Sequence, residues 1–143
     1  MKANIRKLVH HINRKVWWHV KPDDAKSYEK RGKFLSSSFG EAEFYGRPAG
    51  IPERVRISRP LVGDNNSVER TLLGRVESSP DITVPKRLAL DARLRRAALR
   101  QGYDSIALMT ASGFRKFMNE GKVPRSIELN VLDLRCLTSA EHN

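Results

Sequence analysis

The clearest helical stripe in this chain runs from Lys86 to Gln101. Leu90, Leu94, Ala97 and Ala98 recur there at helical spacing, while Arg93, Arg96 and Arg100 line another face. Gly102 is a fitting stop for it. Around that helix the sequence allows only short elements. Asp104 to Met109 reads as a buried strand, and Ser126-Ile-Glu-Leu-Asn-Val131 alternates, with Ile127, Leu129 and Val131 on one face and Glu128 on the other. Val16-Trp-Trp-His-Val20 and Gly32-Lys-Phe-Leu-Ser36 read as two further strands. Trp17 and Trp18 cannot share a strand face, so one of them belongs to the core. Val55 and Ile57 alternate with Arg54, Arg56 and Ser58 in a half-buried strand that Pro60 is expected to end.

The remaining stretches are less regular. Residues 1–14 read as a basic amphipathic helix or arm, with Ile5, Leu8 and Ile12 at helical spacing. Ala25 to Lys30 is one helical turn or a loop. Glu41 to Tyr45 reads as a short helix that a serine of Ser36-Ser-Ser38 can cap and Gly46 stops. Residues 63–85 are expected to be mostly loop, and 112–122 a polar helix or loop. Few helices, several short strands and many turns predict an α+β fold with a mainly antiparallel sheet. At 143 residues the chain is one domain in size. The expected division is a basic N-terminal helix or arm over 1–15, a single domain over 16–138 and a tail over 139–143.

Charge narrows the class of partner. Lys and Arg number 27 against 16 acids, a net +11, and residues 1–33 carry seven of those charges. Such a balance favours polyanions: nucleic acid, a phosphate-bearing cofactor or an acidic protein surface. No uncharged apolar run is long enough to span a membrane, and the cationic opening is not followed by the apolar block of a secretory signal. Cys136 is the one cysteine, which excludes an internal disulfide and a multi-cysteine zinc site. A reducing, cytoplasmic setting is therefore expected. His10, His11 and His19 do not follow a metal-ligand spacing, and neither a glycine-rich phosphate loop nor a serine nucleophile elbow occurs.

Several short motifs, taken in order, carry a likeness that none carries alone. Trp18-His19-Val20 closes an aromatic strand, Lys33-Phe-Leu-Ser36 is a strand ending in serine, and Ala42-Glu-Phe-Tyr45-Gly46 follows. Then come Val55-Arg-Ile-Ser-Arg-Pro-Leu61, Leu99-Arg-Gln-Gly-Tyr-Asp-Ser-Ile106 and Ser126-Ile-Glu128-Leu. From about Trp17 to Leu137 this order resembles the ADP-ribosyltransferase superfamily, in particular the diphtheria-toxin-like branch with its His-Tyr-Glu signature. The resemblance implies a split antiparallel β-sheet core with a few flanking helices. It also implies transfer of ADP-ribose from NAD to a macromolecule, protein or nucleic acid, with release of nicotinamide, in a small phage or toxin-type effector.

In that likeness Glu128 is the catalytic carboxylate and His19 anchors the adenosine ribose. Ser36 supports the site, and Phe34 and Tyr45 sandwich the nicotinamide. Phe34 stands where the family has tyrosine and offers a flat face without the hydroxyl. The Gly-Thr that usually follows the histidine is absent. Ser126 replaces the Glu or Gln of arginine-modifying members, which implies another acceptor. The chemistry suits a carboxylate, because breaking the N-glycosidic bond passes through an oxocarbenium-like state that negative charge stabilises. Two other readings stand beside this one. One is a nucleic-acid-binding module using residues 1–33 for phosphates and Trp17 or Trp18 for stacking. The other is a transferase-like fold without activity, as the missing Gly-Thr would allow.

Overall fold

A computed structural model of the chain describes residues 2–19, 25–37 and 52–139. Its strands are β1 (Trp18–His19), β2 (Lys33–Ser36), β3 (Glu53–Val55), β4 (Pro60–Gly63), β5 (Ser105–Leu108), β6 (Glu128–Val131) and β7 (Leu137–Ser139). Its helices are α1 (Ala3–Arg14), α2 (Ala25–Arg31), α3 (Asn65–Leu73), α4 (Val84–Arg100) and α5 (Ala111–Glu120). The fold is mixed α+β, with a five-stranded sheet in the order β1-β2-β6-β5-β4 and a two-stranded sheet of β3 and β7. All pairs are antiparallel except β4 with β5. Trp17 and Glu53 exchange two backbone hydrogen bonds, at 2.7 and 2.8 Å, and so tie the small sheet to the start of β1.

Residues paired in register share a sheet face, which sorts the core into two layers. Leu35, Leu129, Val131 and Ala107 point toward α1 and α5, where they join Leu8, Ile12, Trp17 and Phe117. Leu61 and Ile106 point the other way and pack with Val68 and Leu72 of α3 and Leu90, Leu94, Ala97 and Ala98 of α4. The alternation of β6 is thus what the fold uses, but both faces of that strand are covered. Of the two tryptophans, Trp17 is fully buried and Trp18 half-buried.

Two expectations are corrected here. Pro60 does not end a strand; it begins β4, and the strand before it is shorter, Glu53–Val55. Proline is tolerated at the first residue of an edge strand, and β4 is the sheet's edge. Residues 63–85 are not mostly loop, because α3 occupies 65–73. Asp64 caps it by accepting a hydrogen bond from the Ser67 amide at 2.8 Å, Val68 and Leu72 bury one stripe, and Gly74, at φ 79°, ends it. Residues 111–120 are a full helix, α5, capped by Thr110 and anchored by the fully buried Phe117. Ala25–Arg31 is helical, and the strong helix begins at Val84 with Pro85 in its first turn, where a missing N–H costs nothing. Of the two forms expected for residues 1–15, helix or arm, the segment takes the helix, α1, and its Leu8 and Ile12 join the core.

Candidate functional site

The register of the central strands decides which of the sequence-predicted residues meet. Ser36 of β2 is the direct partner of Glu128 of β6, and Leu108 of β5 flanks Glu128 on its other side. Phe34, two residues before Ser36, pairs with Asn130 and lies on the same face. The register therefore brings Ser36, Phe34 and Glu128 onto one face, the one covered by α3 and α4. His19 pairs with Leu35, so it belongs to the opposite face. It is fully buried, and its Nε2 lies 2.5 Å from the Tyr28 hydroxyl of α2, with the rings edge to face. Neighbouring strands lie about 4.8 Å apart, which puts the backbones of β1 and β6 about 10 Å from each other. A ligand touching both His19 and Glu128 must pass over the sheet's end or its β1 edge. Tyr45 and the Glu41–Tyr45 helix lie outside the described residues.

Helix α4 supplies what the sequence did not announce. Arg87 and Asp91, one turn apart, form an ion pair at 3.1 Å, and their charges act on Glu128. Burial pushes the Glu128 carboxyl above the usual carboxylate range; Arg87 opposes that rise and Asp91 adds to it. Asp91 is raised as well, chiefly by burial, against the pull of Arg87 and Arg31. Two acids whose ionised forms burial disfavours thus share one guanidinium, an arrangement common at reactive sites. The i, i+4 spacing of Arg87 and Asp91 was visible in the sequence, but their meeting with Glu128 depends on which sheet face α4 covers.

Beneath this cluster Phe34, Asp91, Arg87, Glu69, Leu94 and Asn130 help to line a cavity of about 20 Å³. That is room for one water molecule and far too little for a nicotinamide ring. A dinucleotide would therefore lie outside it, along the row of Ser36 and Glu128 at the strand ends. Asn130 is buried, donates from Nδ2 to the Arg31 carbonyl at 3.0 Å, and its Oδ1 has no partner among the described residues. Gly32, at φ 89°, lets the chain turn from α2 into β2 here, where a Cβ would overlap the Asn130 amide oxygen. Ser37, next to Ser36, accepts at Oγ from the Ile127 amide (3.5 Å) and donates to the Arg125 carbonyl (3.3 Å). Ser37 thereby pins the segment leading into Glu128, while the helix that the serine run was expected to cap lies outside the described residues.

Glu69 of α3 is buried, and its carboxylate accepts the Glu77 and Ser78 amides, each at 2.8 Å, and the Ser78 hydroxyl at 2.5 Å. It holds the loop that leads into α4. Replacing it with alanine is expected to cost about 3 kcal/mol, since two amides lose a charged acceptor. Urea denaturation measures this, and a loss below about 1 kcal/mol would show that the loop holds itself. Cys136 ends a 3₁₀ turn (Leu134–Cys136) and is half-buried. Burial and the nearby Asp104 push its thiol up to about 12, so it stays protonated at neutral pH and is a poor nucleophile. No group of three or more metal-ligating side chains occurs among the described residues. Comparison with known proteins finds no matching family model, curated protein or solved structure.

Proposed function

We propose that this chain is an NAD-dependent mono-ADP-ribosyltransferase acting on a macromolecular acceptor, with Glu128 as its catalytic carboxylate. The observation that carries the reading is the pairing of Ser36 with Glu128 at the ends of β2 and β6, where burial and Asp91 hold the carboxyl in a perturbed state. The finer fold belongs to the same proposal. Two sheets joined through Trp17 and Glu53 are what a split transferase-like core would need.

In the reaction, the bond from the nicotinamide nitrogen to ribose C1′ breaks, nicotinamide leaves with the bonding pair, and an acceptor atom bonds C1′ as its proton departs to solvent. Ionised Glu128 accepts a hydrogen bond from a ribose hydroxyl and stabilises the positive charge that develops on the sugar. Ser36 is the neighbouring hydroxyl on the same row. Phe34 lines the small cavity on that face and is half-buried, so the exposed part of its ring is what would meet the nicotinamide. His19, engaged by Tyr28, serves at the far end of the dinucleotide.

The first test incubates the protein with NAD labelled in either half, with and without cell lysate and nucleic acid. Label transfer or nicotinamide release supports the reading, and neither binding nor turnover in any mixture would sink it. A pH dependence follows from the same group. The active form of Glu128 is ionised and its pKa is raised, so activity should fall as pH drops through a value above the ordinary carboxylate range of about 4.3. A pH profile of turnover checks this, and a limb at or below that range would contradict the buried state of the carboxyl.

A further inference from the structure

Helix α1 carries positive charge and no acidic residue of its own. No acid occurs anywhere in residues 1–22, and α1 contributes Lys7, His10, His11 and Arg14 to one side of a groove of about 590 Å³. Lys15 follows the helix into it, and Lys122 with Val123, from the segment after α5, forms the opposite wall. Lys7 reaches across to the Gly121 carbonyl at 3.3 Å, and Arg14 lies 3.4 Å from the His10 ring. None of these cations pairs with a carboxylate among the described residues. Other cations do: Lys33, Arg75, Arg87, Arg93 and Arg135 each have an acidic partner. His11 lines the same groove, and its Nε2 is buried without a hydrogen-bond partner among the described residues. Burial, then the Lys15 charge, holds its pKa below the usual value.

We infer that this groove binds the phosphate backbone of double-stranded nucleic acid. Four cations without an acidic partner among the described residues line this one groove, and a polyanion would balance their charge. The lining decides which polyanion. It contains one apolar side chain, Val123, and no phenylalanine, tyrosine or tryptophan, its only rings being the imidazoles of His10 and His11. A protein partner would want aromatic or apolar anchors at the centre of its interface, and a single strand would want rings for its bases to stack on. Phosphates need only cations and donors, which is what the groove presents. From Lys7 to Lys15 the helix advances about 12 Å, enough to follow three or four phosphates of one strand. Of Trp17 and Trp18, the two candidates for base stacking, Trp17 is fully buried and neither lines this groove. The inference is independent of the transferase reading, and its test contains no NAD. The groove is also close to the candidate site, since five residues from Val123 to Glu128 reach at most about 18 Å.

The test is fluorescence anisotropy with a random-sequence 20-base-pair duplex at several salt concentrations. It compares wild type, Arg14→Glu with Lys122→Glu, and a control, Arg96→Glu with Arg100→Glu. All four positions are exposed, and the two pairs change net charge equally. The groove pair should weaken binding more than about tenfold and flatten the log–log salt slope by about 2, while the control changes affinity less than about threefold. Equal losses in both pairs would mean that net charge alone attracts the duplex and would overturn the inference. So would absent duplex binding, an unaffected groove variant, or displacement of the duplex by polyglutamate at matched charge. Thermal melts establish that each variant is folded, and the milder Arg14→Ala with Lys122→Ala should shift affinity in the same direction.

Discussion

Replacing Trp17 with alanine should destabilise the protein by about 4 kcal/mol, the cost of removing a large buried aromatic side chain. Typical domains have only about 5–15 kcal/mol to lose, so the melting temperature should fall by about 15 °C. The magnitude rests on three attachments of one residue. Its side chain is fully buried among the residues that join α1 to the sheet. Its indole Nε1 donates to the Ile12 carbonyl at 3.0 Å, fixing the end of α1. Its backbone bridges to Glu53 and so holds the small sheet. Only the first two are lost in the alanine variant. Trp17→Phe keeps most of the apolar volume and should cost about 1–2 kcal/mol, near the value of one unsatisfied carbonyl plus a small void. Trp18→Ala, at a half-buried site, should cost less than Trp17→Ala. Urea denaturation of all three separates these terms, and equal losses at Trp17 and Trp18 would contradict the layer assignment.

Glu128→Gln should reduce ADP-ribosyl transfer by about a hundred- to a thousand-fold, the usual effect of deleting one group that stabilises transition-state charge. The same change should not weaken the fold. Burial raises the Glu128 pKa, so the folded state favours the protonated carboxyl. Its stabilising contribution is complete below the unfolded pKa and is lost as pH rises through the folded one. At neutral pH the wild type therefore carries a partly buried charge that glutamine removes. The variant should melt at or above the wild-type temperature at pH 7, and the gain should vanish in acid. Turnover and melting point together test the assignment. An inactive variant that also melts much lower would make Glu128 a structural residue, and a fully active one would remove it from the mechanism.

What could be read from the sequence follows the physical range of each signal. Periodicity is local, so Leu90, Leu94, Ala97 and Ala98 marked α4, and Ile127, Leu129 and Val131 marked the apolar face of the β6 segment, the one toward α1 and α5. Capping is local too, but Gly63-Asp-Asn-Asn looked like a turn, and Asp64 as an N-cap becomes evident only once Val68 and Leu72 are taken as a stripe. Pro60 suggested a break because sequence does not say whether a strand lies at an edge. The candidate site was half legible. The order of motifs put Ser36, Phe34 and Glu128 on one list, and the register puts them on one face. His19 was on that list too, yet a shift of one position along β1 sends it to the opposite face, where Tyr28 receives it. Arg87 and Asp91 come from a helix more than thirty residues away in sequence, and nothing short of the packing of α4 could place them beside Glu128.

The strand order has a consequence for how the molecule is made. The middle of the five-stranded sheet is β6, near the end of the chain, while its neighbours β2 and β5 and the edges β1 and β4 all precede it. Without β6 in place, the β1–β2 pair and the β4–β5 pair would each have an open edge facing the gap that β6 fills. The last strand of this sheet to be translated is the keystone. A chain stalled or clipped before Glu128 would thus display two unsatisfied strand edges at once, the form most prone to pairing with a neighbour, and would lack the carboxylate as well.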